Sequence, residues 1–277
     1  MLRAMLARFF VWFYRCVHGR LGLPGSGWLL RRAARVLPDL QSFPLEIPGV
    51  GTARLDLRDA AAFALVNFSL GETDNHAVLV EAMAKHLPPG GVLWDIGANV
   101  GLICAHFARA GRGLSAIHAF EPVPGPLRSL QSLFAGHPVV RVHPLGLGAK
   151  SERVTIQYCP HSSSLNSVGR TLPGARPVEI EICRGDDLRA ELNLPAPHVI
   201  KMDVEGFEPE VFAGLEKTVA DTRPVIFYEH IMLSDEQVRA LVPAGYTLRF
   251  LLEDGRLVED FARRMQGHNA VLLPPGK

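Results

Sequence analysis

The sequence predicts an α/β fold, a mostly parallel sheet covered by helices on both faces and interrupted by a two-stranded insertion. Three observations lead there. From Val92 onward, short apolar runs alternate with helical segments, as in a parallel sheet buried on both sides. Residues 152–183 break that rhythm with two segments that alternate like antiparallel strands. The chain has 277 residues, 48% of them apolar and 21% charged, the proportions of one large globular domain with an appendage. They exclude a disordered chain, a collagen-like chain and a small disulfide scaffold. A net charge of +1 gives no reason to expect nucleic acid as a partner.

Charge is concentrated at one end. Residues 1–38 hold seven Arg and no Asp or Glu, and the remainder is net acidic. Within LRAMLARFFVWFYRCV, residues 2–17, the apolar run Phe9–Tyr14 is far short of the roughly 20 residues that span a bilayer. On a helical wheel Arg3, Arg8, Arg15 and His18 share one arc, and Leu2, Leu6, Phe9, Phe13 and Val17 the opposite one. Such a helix can lie in a membrane interface, aromatic face down, or pack on the domain or on a second subunit. Gly22-Leu-Pro-Gly-Ser-Gly27 matches a signal-peptide cleavage site only weakly, so a cleaved leader is not expected. Cys16, Cys104, Cys159 and Cys183 show neither C-x-x-C nor zinc-ligand spacing. The reducing cytoplasm is the expected compartment, with a peripheral place at the inner membrane face open to the N-terminal helix.

Pro24–Gly27 breaks the first helix, and a second basic helix follows at 28–37, ended by Pro38. Residues 43–59 alternate as a hairpin around Gly49 and Gly51, and His76–Leu87 form a helix closed by Pro88-Pro-Gly-Gly91. The chain thus divides into a basic helical segment (1–40), a hairpin and helix leading inward (41–91) and the main domain (92–277). In that domain Val92–Ile96, Ser115–Phe120, Val139–Pro144, Val199–Val204 and Val225–Tyr228 are strands. Val100–Ala110, Gly125–Ala135, Pro209–Ala220 and Ser234–Leu241 are helices, the last with Ser234 as its N-cap. Arg153–Tyr158 and Val178–Cys183 are the inserted pair, and Tyr246–Leu252 and Ala270–Leu273 close the sheet.

The stretch VLWDIGANVG, residues 92–101, is the most informative. A buried strand runs into Asp95-Ile-Gly97-Ala-Asn99-Val-Gly101, and a helix begins directly after. Gly97 and Gly101 let the backbone approach a ligand, and Asn99 tolerates the left-handed region between them. The helix start then offers free N–H groups. A nicotinamide dinucleotide site needs G-x-G-x-x-G, but Leu102 stands where its third glycine belongs. Asp95 would repel pyrophosphate and can instead accept from an ammonium. The next strand ends in Phe120-Glu121-Pro122, and an acid there can accept both ribose hydroxyls. Adenosine at one end and a zwitterion at the other describe S-adenosylmethionine.

A second cluster begins in Val199-Ile-Lys-Met-Asp-Val-Glu205. Side chains alternate along a strand, so Lys201, Asp203 and Glu205 share one face. Such a triplet is costly to bury unless paired or functional, and it sits where open α/β sheets bind ligands. A structural ion pair between Lys201 and a carboxylate is the plain alternative. Glu229 and His230 end the next strand, and a histidine there can act as a base near neutral pH. Asp203, Glu229 and His230 also offer ligands to a divalent metal, but acids at a cofactor site need no ion and none is expected. In the insertion, Ser162, Ser163, Ser164 and Asn166 can hydrogen-bond a polar acceptor. His106 and His118, within apolar segments, read as core residues.

DIGANVG, AFEP, KMDVEGFEPEV and RPVIFYEH, in this order from about Glu72 to His230, resemble the FkbM family of S-adenosylmethionine-dependent methyltransferases. The resemblance implies a Rossmann-like class I methyltransferase fold with seven strands. It also implies O-methylation of a hydroxyl on a sugar, glycan or natural product. It places Asp95, Gly97, Asn99, Gly101 and Glu121 at the cofactor, and Lys201, Asp203 and Glu205 near the transferred methyl. Asp203, Glu205 or His230 is the expected base, with Glu229 and the insertion's Ser163, Ser164 and Asn166 toward the acceptor. A nicotinamide-linked oxidoreductase, or a non-catalytic membrane-associated protein keeping the fold, are the alternatives.

Overall fold

The computed structural model describes residues 2–21, 26–71, 76–159 and 174–276. The first elements are the helices α1 (Leu2–Leu21) and α2 (Ser26–Val36), the antiparallel hairpin β1 (Phe43–Ile47) and β2 (Gly51–Leu55), then α3 (Ala60–Ser69) and α4 (Ala77–Ala84). Asp59 caps α3 by accepting from Ala61 N at 3.1 Å. The sequence reading passes over α3. Its segment AAAFALVNFS has no polar face because both sides are covered, so the usual amphipathic period is missing.

Alternation of strand and helix follows as expected: β3 (Val92–Ile96), α5 (Leu102–Ala110), β4 (Ala116–Phe120), α6 (Pro124–Leu133) and β5 (Val140–His143). The insertion has three strands rather than two. β6 (Gly146–Gly148) runs parallel to β8 (Arg176–Arg184), which pairs antiparallel with β7 (Glu152–Tyr158). Three residues of a glycine-flanked segment carry no alternation to read. The loop with Ser162, Ser163, Ser164 and Asn166 lies outside the described residues.

After α7 (Gly185–Glu191) come β9 (Val199–Met202), α8 (Glu208–Gly214), α9 (Glu216–Thr222) and β10 (Val225–Glu229). The single helix expected over 209–220 is two. Asp186 explains the break: its carboxylate accepts from Lys217 N at 3.0 Å and Thr218 N at 2.8 Å, capping a fresh N-terminus. Then α10 (Asp235–Ala240), with the reciprocal capping box of Ser234 and Gln237, precedes β11 (Thr247–Leu251), β12 (Leu257–Val258) and β13 (Asn269–Leu273).

The main sheet has the order β12-β11-β13-β10-β9-β3-β4-β5. It holds the seven expected strands plus the two-residue β12 on its edge. β10, β9, β3, β4 and β5 are parallel, and β13 runs antiparallel between β10 and β11. Leu93, Ile117, Val199 and Phe227 pack on one face under α3–α6, and Trp94, Phe120, Ile200 and Tyr228 on the other under α7–α10. One continuous core on the first face runs from Val11 in α1 to Val271 in β13. From β3 the chain winds outward to β5, then returns to β9 on the other side of β3. The crevice between β3 and β9 is therefore the topological switch point, where such sheets bind ligands beyond the strands' carboxyl ends.

Candidate cofactor and acceptor site

The tips of four neighbouring strands carry the site. In sheet order they present Glu229, Asp203, Gly97 and Glu121. Backbone hydrogen bonds tie the tips together: Asp203 N donates to Ile96 O, and Gly97 N and Ala98 N both donate to Phe120 O, each at 3.0 Å. Above them opens a cavity of about 390 Å³. Its walls include Gly97–Val100 and Glu121–Val123, Lys201, Asp203 and Glu205 of the second cluster, three alanines of α3, and isoleucines of the insertion.

Gly97 has φ 78°, and a Cβ there would overlap the Asp203 carbonyl oxygen. The missing side chain is what lets the β3 turn and the β9 tip close on each other. Asn99, as expected, takes the left-handed region at φ 50°. Gly101, at φ 92°, precedes α5 and makes room for Leu130 and Phe134 of the neighbouring segment. Gly97→Ala should therefore cost about 3 kcal/mol, from the left-handed backbone and the overlap combined. Thermal melting would show a Tm lower by about 6–12 °C. Gly49 has nearly the same φ but open space around its Cβ position, so Gly49→Ala should lose far less. Equal losses would mean that the close approach at Gly97 contributes nothing.

Glu121 is 5% exposed. Its Oε2 accepts from Asn99 N at 2.9 Å and its Oε1 from Val123 N at 2.8 Å. Burial pushes its pKa up to about 7, against the pull of those two N–H groups. Each oxygen keeps a lone pair for a further donor. Asp95 lies just beneath the cavity wall. It shares the face of Leu93 beneath α5, fully buried, where the Cys104 thiol donates to its Oδ2 at 3.2 Å. Its partner across the β3–β9 register is Lys201, with Nζ 3.4 Å from Asp95 Oδ1.

Lys201 does line the cavity. Its Nζ donates to Gly97 O at 3.1 Å and lies 3.4 Å from Asp203 Oδ2. Burial works against its charge, but Asp203 and Asp95 outweigh it and hold the ammonium above its ordinary pKa. Lys201 is thus a charged strut between two acids, the ion-pair alternative weighed from the sequence.

Asp203, Glu205 and Glu229 bring a carboxylate oxygen each within 4.8 Å of one another. Glu205 reaches the group from a left-handed φ of 56°. Burial first, then the charges of Asp203, Glu205 and Glu208, raise the Glu229 pKa to about 8. Glu208, missed in the sequence reading, latches the turn by accepting from Val204 N at 3.1 Å. Its signal was the acid at the first turn of the helix after Gly206.

His230 is not in this group. Successive strand residues face opposite ways, so Glu229 turns toward the acids and His230 away. Its ring is buried edge-on to Phe250 at 5.3 Å, with Nδ1 3.1 Å from Arg264 Nη1. Burial and Arg264 lower its pKa to about 4, so it stays neutral there. The oxygen-rich trio therefore contains Glu205 where the sequence suggested His230. His118 is buried as expected, 3.0 Å from a ring nitrogen of His143.

The model of the methyltransferase FkbM domain matches residues 95–264. The chain belongs to the FkbM methyltransferase family. The hexuronic acid methyltransferase AglP of Haloferax volcanii is 29% identical over 175 residues, which are 62% of this chain and 68% of that protein. The 31-O-demethyl-FK506 methyltransferase FkbM of Streptomyces tacrolimicus is 28% identical over 162 residues, 47% of this chain and 61% of its own length. The 2-O-methyltransferase NoeI of Sinorhizobium fredii is 26% identical over 210 residues, 69% and 82% of the two chains. Membership in the FkbM family settles the choice of cofactor for S-adenosylmethionine and against a nicotinamide. The chain's own geometry fits that group: a turn at Gly97 with no side chain in the way, and a buried acid at the neighbouring tip with lone pairs to spare.

Proposed function

We propose that this chain methylates a hydroxyl oxygen of a sugar, glycan or natural-product acceptor, with the acid at the β9 tip taking up the proton. The close grouping of Asp203, Glu205 and Glu229 beside the Gly97 turn carries this reading. Bound S-adenosylmethionine supplies an electrophilic methyl carbon. What the chain adds is position and a base. Glu121 is the acceptor for the ribose hydroxyls, and Gly97, Asn99 and the start of α5 form the turn around the rest.

A hydroxyl is a weak nucleophile, so removal of its proton during attack matters, by about 10²–10⁴-fold when a side chain does it. Asp203 lines the cavity and its backbone abuts the Gly97 turn, so it is the proposed base. Glu229, in the same trio, has its pKa raised to about 8 and is largely protonated at neutral pH, so it stands beside Asp203 as a neutral neighbour and leaves the proton to Asp203. Lys201 anchors Asp203 and does not itself receive the proton. The names of AglP and NoeI point to sugar acceptors, and that of FkbM to a natural product. Val154, Ile156, Ile180 and Ile182 give the cavity an apolar wall that suits the carbon-bound face of either class.

The test is transfer of a ¹³C-labelled methyl from S-adenosylmethionine to a panel of saccharide and polyketide alcohols and matched amines. A methoxyl carbon signal on an alcohol is the expected product. Methylation of amines alone would refute the oxygen assignment.

A further inference from the structure

The N-terminal helix α1 has two apolar faces, and the fold uses only one. Val11 and Tyr14 are buried against the domain, Tyr14 edge-on to Phe63 of α3 and donating its hydroxyl to Asn67 Oδ1 at 2.8 Å. Phe9 and Trp12 stand 51% and 59% exposed, with Met5 and Leu6 beside them. On α2, which packs against α1, Trp28 and Leu29 are exposed too. Isolated apolar residues on a surface are ordinary, but several large ones on two adjoining helices mark a contact surface.

Charge says what the contact is. Arg8, Arg32 and Arg35 are exposed on the same two helices, and no Asp or Glu occurs among residues 1–38. A two-fold pairing of these two helices with those of a second copy would bring the arginines no acidic partner. An anionic lipid surface attracts them and receives the aromatic rings at the headgroup level. Among the described residues no helix is long and apolar enough to cross a membrane, so the mode is lying on the surface. We propose that the α1–α2 face docks on an anionic bilayer, with Phe9, Trp12 and Trp28 inserted and Arg8, Arg32 and Arg35 at the phosphates.

Docking there has a structural consequence. The helix α3 is gripped by α1 on one side and lines the cavity with Ala60, Ala61 and Ala64 on the other. One helix thus separates the bilayer-facing element from the acceptor site. This inference is independent of the acceptor reading, since it concerns binding without turnover.

The three tryptophans make the test direct. Trp94 is fully buried in the sheet, so a change in emission on adding lipid reports Trp12 and Trp28. The full chain is titrated with vesicles of phosphatidylcholine alone and of phosphatidylcholine with phosphatidylglycerol, followed by fluorescence and flotation. Expected are a blue shift and flotation with the anionic vesicles only, reversed by high salt. Changing Arg8, Arg32 and Arg35 together to Gln should weaken partitioning on the order of 100-fold. Trp12→Phe with Trp28→Phe should abolish the shift but not flotation. Circular dichroism and binding of S-adenosylhomocysteine confirm that each variant is folded. No partitioning of the wild-type chain, equal partitioning to neutral vesicles, or a concentration-dependent dimer without lipid binding would each overturn the proposal.

Discussion

Asp203→Asn is expected to lower kcat by about 10²–10⁴-fold while leaving the affinity for S-adenosylhomocysteine within a few-fold of wild type. The amide keeps the size and place of the side chain beside Lys201 but cannot accept a proton from the acceptor. Glu229→Gln should lower kcat less, because Glu229 does not line the cavity and acts only through its neighbour Asp203. The double variant should be little worse than Asp203→Asn alone, since groups acting as one unit are not additive. The pH dependence follows from the raised Glu229 pKa. Its folded value near 8 lies above its unfolded value, so the native state holds a proton that the unfolded chain releases. The resulting stability is full below about pH 4.5 and is lost as pH rises toward 8. Glu229→Gln should therefore flatten the fall in Tm over that range. Stopped-time assays and melting curves on the three variants check both halves. Unchanged kcat in Asp203→Asn would remove Asp203 as the base.

Much of this arrangement was legible because backbone requirements show in residue type. The left-handed positions at Gly97, Asn99 and Gly101 need residues that tolerate them, and those residues stand there in order. The parallel strands declared themselves by apolar runs, and Ser234 by its place at the head of a helical segment, where the structure adds its reciprocal partner Gln237. Other features depend on tertiary contacts that local pattern does not encode. Asp95, expected at the ligand, lies fully buried beneath α5, held by Cys104 and Lys201. His230 was expected to share the site with Glu229, but just past the end of β10 it turns the other way, to Phe250 and Arg264. The helix α3 was not legible, since it is covered by Tyr14 on one side and lines the cavity on the other, which erases its period.

The second large effect concerns the cofactor half. Glu121 is buried, fixed at both oxygens by backbone donors, and set at the tip of the strand beside the glycine turn. Charged hydrogen bonds of this kind contribute about 1.5–3 kcal/mol each, so losing two ribose contacts weakens binding by roughly 10²–10⁴-fold. Glu121→Gln retains the shape and one acceptor oxygen, so it should fall between wild type and Glu121→Ala. The wild-type affinity should also decline as pH drops below about 7, because the ribose is held by the ionised carboxylate. Its gain on ionisation should vanish in Glu121→Gln.

Everything rests on the placing of one nucleoside across the β3 and β4 tips. Calorimetric titration of S-adenosylhomocysteine into wild-type, Glu121→Gln and Glu121→Ala chains, at pH 6 and pH 8, asks that question most directly. Affinity should fall stepwise across the three, with the pH effect present in the wild type alone. Equal affinity in all three, with the variants folded, would contradict the account.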